Sequence, residues 1–231
     1  MMNGKWKVFG YSLIGKYHIK NNMPNQDSFY YKVQDNLISV AVADGLGSRK
    51  YSHLGSSLLT KNVVKLSRLF YGNKILFERK LKDIFIKEIK RLNVNTNDAS
   101  STLMFAIIKN GKIYIAKIGD GDIIILGKDN FVIEENKTFG NVTNPFGYEK
   151  LSWYVFNEKD IDFIFLATDG LSDDLKDKIN FAKAFKNFFE KLPKYKLFRE
   201  SEKMLKNWNV KGSVDDKTFA CLIKEKDEKI Y

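Results

Sequence analysis

Apolar and polar positions recur along this chain with two periods, and the switches between them lay out its elements. Over residues 5–43 the pattern is strand-like, with a polar loop at residues 20–24. Asp35-Asn36 is a tight-turn signal between residues 29–33 and 37–42, which predicts a hairpin. From Ser52 the period lengthens. Leu54, Leu58, Val63, Leu66 and Leu69 fall on one helical face, with the small residues Gly55, Ser56 and Ser57 near its start. Leu81, Ile84, Phe85, Ile89 and Leu92 predict a second helix over residues 79–92, followed by a polar loop at 93–100. The strand period then returns. Residues 102–108 and 113–118 flank Asn110-Gly111, a pair suited to a type I′ turn, and residues 122–126 and 131–133 continue the meander. A loop rich in Asn, Gly and Thr covers residues 137–148, and strands over 151–156 and 162–167 follow. Residues 171–208 read as helices broken near Pro193, and a last strand runs over 218–224.

Strands dominate, hairpins connect them and helices come in pairs. This order predicts an antiparallel α+β layered domain, two sheets covered by helices, rather than a doubly wound βαβ fold. No linker and no fixed-period repeat interrupts it.

Composition narrows the function. The 231 residues are 44% hydrophobic and 14% aromatic, ample for a sizeable core. No apolar stretch approaches the ~20 residues needed to span a bilayer, and the first residues lack an apolar signal-peptide region. The single cysteine, Cys221, lies in a strand-like run and cannot form an internal disulfide, so a cytoplasmic protein is the simple reading. The net charge of +11 could attract nucleic acid or anionic lipid. The lysines are scattered, however, and interleave with Asp and Glu in segments such as residues 80–91. The most basic stretch, residues 183–211, reads as a solvated helical face, and no nucleic-acid motif is present. Neither a nucleic-acid nor a membrane partner is expected.

The candidate chemistry sits where apolar runs end. Three runs stop on Asp-Gly: Asp44-Gly45, Asp120-Gly121 and Asp169-Gly170. Asp27 ends Asn25-Gln26-Asp27, and Asp215-Asp216 precedes the run 218–223. Each alone has an ordinary reading: Asp-Gly is a common turn, Asp120 stands where a turn is expected, and Asp27 reads as a solvated loop carboxylate. Together, several carboxylates meeting at one sheet edge would repel unless cations sat between them. That points to an oxygen-ligated, multi-metal site of the kind that does hydrolytic phosphate chemistry, with Mg²⁺ or Mn²⁺ as the hard cations. One cysteine and two histidines, none at ligand spacing, are too few for zinc.

These residues carry a resemblance. Asn25-Gln26-Asp27, Val42-Ala43-Asp44-Gly45-Leu46-Gly47, Ser101-Thr102-Leu103, Ile118-Gly119-Asp120-Gly121-Asp122, Ala167-Thr168-Asp169-Gly170-Leu171 and Ser213-Val214-Asp215-Asp216-Lys217-Thr218 occur in order over nearly the whole chain. They resemble the motifs of the metal-dependent protein phosphatases, the type 2C serine/threonine phosphatases, and in particular a divergent bacterial branch. The resemblance implies a four-layer αββα sandwich over residues 1–231, two antiparallel sheets flanked by helix pairs. It implies that Asp44 bridges two ions with the Gly45 carbonyl on one of them, that Asp169 and Asp215 ligate the second, and that Asp27 holds metal-bound waters. Asp120, with Asp169, would form a weaker third-metal site. It further implies direct attack of metal-bound hydroxide on a phosphoserine or phosphothreonine ester without a phosphoenzyme, a phosphorylated protein substrate and a cognate kinase. The loop 137–148 falls where the family has a mobile flap.

The chain departs from the pattern in several places. No Arg precedes Arg49 to grip substrate phosphate. His18, Lys16 and Lys20 occupy that region, and His18 resembles what the divergent branch uses. His18 is therefore a candidate for gripping phosphate or donating a proton, and Lys20 for binding substrate. Gln26 replaces an acidic residue, Asp122 stands where Arg is usual, and Ser48 replaces a glycine. The core set Asp44, Asp169 and Asp215 is intact, so an active phosphatase is the leading expectation. A catalytically weak module binding a phosphorylated partner is the alternative.

Overall fold

A computed structural model describes residues 5–34, 36–134 and 144–225. Its strands are β1 (Trp6–Leu13), β2 (Asp27–Gln34), β3 (Leu37–Asp44), β4 (Leu103–Lys109), β5 (Lys112–Ile118), β6 (Asp122–Gly127), β7 (Phe131–Ile133), β8 (Ser152–Asn157), β9 (Ile161–Ala167) and β10 (Lys217–Lys224). Its helices are α1 (Lys16–Lys20), α2 (Ser52–Leu66), α3 (Lys74–Arg91), α4 (Asp169–Ser172), α5 (Lys178–Glu190) and α6 (Lys194–Lys206). One five-stranded sheet has the order β1-β10-β9-β6-β7 and the other β2-β3-β4-β5-β8. Every neighbouring pair is antiparallel.

The layers follow from the strand period. In β3, Ile38, Val40 and Val42 face the other sheet, meeting Ile123, Ile125, Ile164 and Leu222, while Leu37, Ala41 and Ala43 face helices. Both faces of the central strands are thus buried, which is why they read as continuous apolar runs. Leu59, Val63, Phe77, Leu81, Phe85 and Ile89 of α2 and α3 cover the β2-β3-β4-β5-β8 sheet. Phe185, Phe189, Leu197 and Leu205 of α5 and α6 cover the other, against Phe9, Phe165 and Phe219. The result is the expected αββα sandwich. None of the described helices is long and apolar enough to cross a membrane.

Several expectations need correction. Of the expected α2 stripe, Val63 and Leu66 are buried and Leu58 packs half-buried against the core, but Leu69 lies beyond the helix and is 62% exposed, and Gly55, Ser56, Leu59 and Thr60 also face inward. Small residues win because the helix lies against backbone. A Cβ on Gly55 would stand 1.9 Å from the Ala99 carbonyl oxygen, and the Ser56 hydroxyl donates to the Gln26 carbonyl at 2.6 Å. Helix α3 starts at Lys74 rather than at 79, because the Asn73 side chain caps it by accepting from Leu76 N–H at 3.0 Å. Strands β5 and β6 are not a meander: they lie in different sheets. The chain crosses between sheets at Gly119, whose φ of +99° and contact with Thr102 admit no side chain. Helix α1 falls in a region read as strand and loop. The strands on either side of Asp35 pair as the hairpin expectation requires, although Asp35 itself and residues 137–143 of the flap-like loop lie outside the described residues.

Candidate functional site

Register brings the carboxylates together. Asp27 begins β2 and Asp44 ends β3, and the two are paired residues. Asp169 follows β9 as the first residue of α4, Asp120 sits in the β5–β6 crossover, and Asp215 precedes β10. Carboxylate oxygens of Asp44, Asp120 and Asp169 lie within 4.8 Å of one another. A cleft of about 360 Å³ at this edge is lined by His18, Asp44, Gly45, Asp120, Asp169 and Asp215, among others. Asp27, 8% exposed, lies beside Asp44 and accepts from the Thr168 hydroxyl at 2.8 Å.

The frame around Asp44 is rigid. Its N–H donates to Thr102 Oγ1 at 2.9 Å, and its carbonyl accepts from Thr102 N–H and the Ser101 hydroxyl, each at 2.7 Å. Gly45 packs so closely on Ser52 of α2 that a Cβ would come within 2.7 Å. Ser101 and Thr102, which the sequence marked only as the start of a strand, therefore hold the backbone of the bridging candidate.

Electrostatics give the cluster its chemical character. Burial, followed by repulsion from Asp27, Asp169 and Asp215, pushes the Asp44 carboxyl well above the usual range. Burial and then the nearby Asp216 raise Asp27 to about 8. Burial, Asp120 and Asp215 raise Asp169 to about 6. Such a set cannot ionise fully without a compensating positive charge. Its donors are oxygen only, so it fits a hard divalent cation and not zinc or a soft metal.

The remaining candidates separate. His18, 4% exposed, lines the cleft. Lys20 is exposed and is not among the described residues that line it. Gln26 lines the cleft where the family pattern has an acid. Asp122 faces elsewhere and pairs with Lys178 at 2.7 Å. One residue named in the sequence has contacts that the sequence reading did not assign. Asp216, 3% exposed, accepts from Gly15 N–H at 2.6 Å and from Gln26 N–H at 2.7 Å, and lies 2.7 Å from His18 Nδ1. Its only sequence signal was its place as the second acid of the Asp215-Asp216 doublet.

Comparison with known proteins gives this arrangement a family. Residues 14–208 match the family described as Protein phosphatase 2C. No curated protein sequence matches the chain significantly. Among solved structures, serine/threonine phosphatase Stp1 from Staphylococcus aureus is 17% identical with a TM-score of 0.70, over 98% of this chain and 98% of that one. The catalytic domain of serine/threonine protein phosphatase PstP, in complex with two manganese ions, is 15% identical with a TM-score of 0.67, over 96% and 99%. RsbX in complex with magnesium is 15% identical with a TM-score of 0.61, over 97% and 100%. At these identities the likeness establishes the fold. The family match spans most of the chain, including the acidic residues from Asp27 to Asp169, and this protein belongs to the protein phosphatase 2C family.

Proposed function

We propose that this chain, acting as one catalytic domain, hydrolyses phosphoserine and phosphothreonine esters of proteins with the help of Mg²⁺ or Mn²⁺. The observation that carries the reading is the convergence of Asp44, Asp120 and Asp169 within 4.8 Å in a cleft. Asp44 would bridge two ions, the Gly45 carbonyl would complete one site, and Asp169 and Asp215 would hold the second. Asp120 with Asp169 would form a weaker third site, and Asp27 would hold water through hydrogen bonds. The ions, when bound, polarise the phosphoryl group and supply an activated water near neutral pH. Magnesium and manganese in the related structures support this choice of cation.

The chain's own residues do the rest. The paired ends of β2 and β3 hold Asp27 and Asp44 in fixed register, so little reorganisation is needed when cations and substrate arrive. His18 contributes the imidazole that faces the cleft, replacing the arginine absent from this region. The exposed Lys20 would meet only parts of a protein substrate that extend beyond the cleft. A protein kinase that makes such phosphoesters is the functional counterpart, and the cytoplasm is the compartment we favour. A phosphoprotein-binding module with weak turnover is the second reading. It draws on Gln26, which removes one negative charge from the cleft.

Hydrolysis of a phosphothreonine peptide with and without Mn²⁺, beside Asp44→Asn, tests the proposal. Metal-dependent turnover that falls ~10²-fold or more in the variant is expected. Absence of turnover from a parent protein that still binds Mn²⁺ would favour the binding module.

A further inference from the structure

Helices α5 and α6 do more than cover their sheet. Phe181, Ala184, Phe185 and Phe188 recur on α5 at the spacing of one helical face. Glu200, Lys203, Met204 and Asn207 repeat that spacing along α6 and its C-cap. The two rows line a groove of about 380 Å³. Its floor is aromatic and fixed: Phe185 is 5% exposed and packs on Phe165 with ring centroids 4.9 Å apart. Its α5 wall is left uncovered. Phe188 is 52% exposed, and Ala184, one turn before it, is exposed and too small to fill the space beside it. Apolar surface gathered in this way marks a binding face rather than a solvated one.

The charge around the groove has one sign. Every exposed charged side chain over residues 178–209 is a Lys or an Arg. Glu190 and Glu202 are half-buried and already paired within the layer, with Lys186 at 3.7 Å and Lys206 at 2.6 Å. Among the described residues, no ion pair takes up Lys183, Lys191, Lys196, Arg199 or Lys203. Lys203 lines the groove, and Lys196 lies one turn before Glu200 on the same row of α6. An occupant that complements this rim carries carboxylates.

Shape narrows the class further. A small ligand needs enclosure and converging polar groups, whereas Lys203 and Asn207 stand exposed at the rim. A lipid surface is met by side chains that project, whereas Phe185 and Met204 are recessed between the helices. Each row is about two turns, roughly 10 Å, long, the scale of an α-helix laid between two others.

We propose that the α5–α6 groove docks an acidic amphipathic helix of a partner protein. Its apolar side chains enter between Phe188 and Met204, and its carboxylates meet the lysines on either side. The groove shares no lining residue with the carboxylate cleft, so a docked helix leaves the cleft free.

The test is direct binding, which does not depend on turnover. The probe is a fluorescein-labelled synthetic helix of about four turns, with leucines on one face and glutamates on the other, titrated with the full chain. Saturable binding with Kd below ~100 µM at low salt is expected, weakening as salt screens the charges. Phe188→Ala should raise Kd ~10-fold or more through loss of an aromatic anchor. Lys203→Glu should raise it ~5-fold or more by setting like charges together. Both side chains are exposed, so the melting temperature should hold at the parent value and would reveal a loss of fold. Ile75→Ala alters an 83%-exposed side chain on α3, in the opposite layer, and should leave Kd unchanged. No saturation up to ~1 mM, or binding that neither groove variant weakens, overturns the proposal. So does equal binding of a peptide with the same residues in scrambled order, or of one with lysines in place of the glutamates. Phe188-dependent adsorption to phosphatidylglycerol vesicles in place of the peptide would assign the face to a lipid surface. A dimer in sedimentation that dissociates in Phe188→Ala would assign it to a second copy of the chain. Either result overturns the helical partner.

Discussion

Stripped of divalent cations, the protein should lose stability as pH rises from about 4 to about 8. The folded Asp169 carboxyl titrates at about 6 and Asp27 at about 8, against the ordinary 3.8 of each. Above 3.8 and below those raised values, the folded state holds protons that the unfolded chain has already released. Unfolding then releases protons, so stability falls with rising pH, and the whole contribution is gone once pH passes the folded values. For Asp169 the difference is roughly two pH units, or ~3 kcal/mol. In a chain of this size ~3 kcal/mol corresponds to roughly 6–12 °C in Tm. Asp27 carries the slope on toward pH 8. Bound Mg²⁺ reverses the trend, because it favours the ionised carboxylates and binds more tightly as they lose protons. The assay is thermal melting at a series of pH values, in chelator and in Mg²⁺, read as the difference in Tm between the two curves. Groups remote from the cleft cancel in that difference. Burial lowers the pKa of His53, so its own effect has the opposite sign. Parallel curves, with a gap that does not widen with pH, would refute the account of the carboxylate cluster.

Other expectations follow from the same geometry. Asp44→Asn removes one of the repelling buried carboxylates and should raise the stability of the cation-free protein at pH 8 by ~1–2 kcal/mol, measured by urea denaturation, while blunting the response to Mn²⁺. Gly55→Ala places a methyl against the Ala99 carbonyl, 1.9 Å away before relaxation. It should cost ~1–3 kcal/mol, seen as a lower denaturation midpoint. Lys20→Ala should change kcat/KM on a phosphopeptide by less than about fivefold, since an exposed charge outside the cleft contributes at most ~1 kcal/mol. A larger loss would place Lys20 against the substrate phosphate.

The sandwich was legible because its central strands are buried on both faces, so β3, β4, β9 and β10 read as unbroken apolar runs. The β4–β5 hairpin was legible because Asn110 and Gly111 adopt the positive φ values, +53° and +70°, that their turn requires. The β5–β6 crossover was not, since Gly119-Asp120-Gly121 has the composition of a turn whichever sheet the next strand joins. The inward face of α2 was hidden for a different reason: Gly55, Ser56 and Thr60 look polar or small, but they are buried by close backbone contact rather than by apolar area. At the site, the carboxylates were readable because each ends or precedes an apolar run. Separating His18 from Lys20 needed helix α1, in which residues two apart do not share a face. The contacts of Asp216 were not legible because its partners Gly15, His18 and Gln26 are 201, 198 and 190 residues away in sequence.

The central claim is that the acidic residues at the ends of these strands form one divalent-cation centre. Calorimetric titration of the purified protein with Mn²⁺, beside Asp44→Asn, tests it most directly. The account predicts saturable binding of at least two ions per chain in the parent, and loss of the tight sites when the bridging carboxylate is removed. No binding by the parent, or an identical isotherm in the variant, would contradict it.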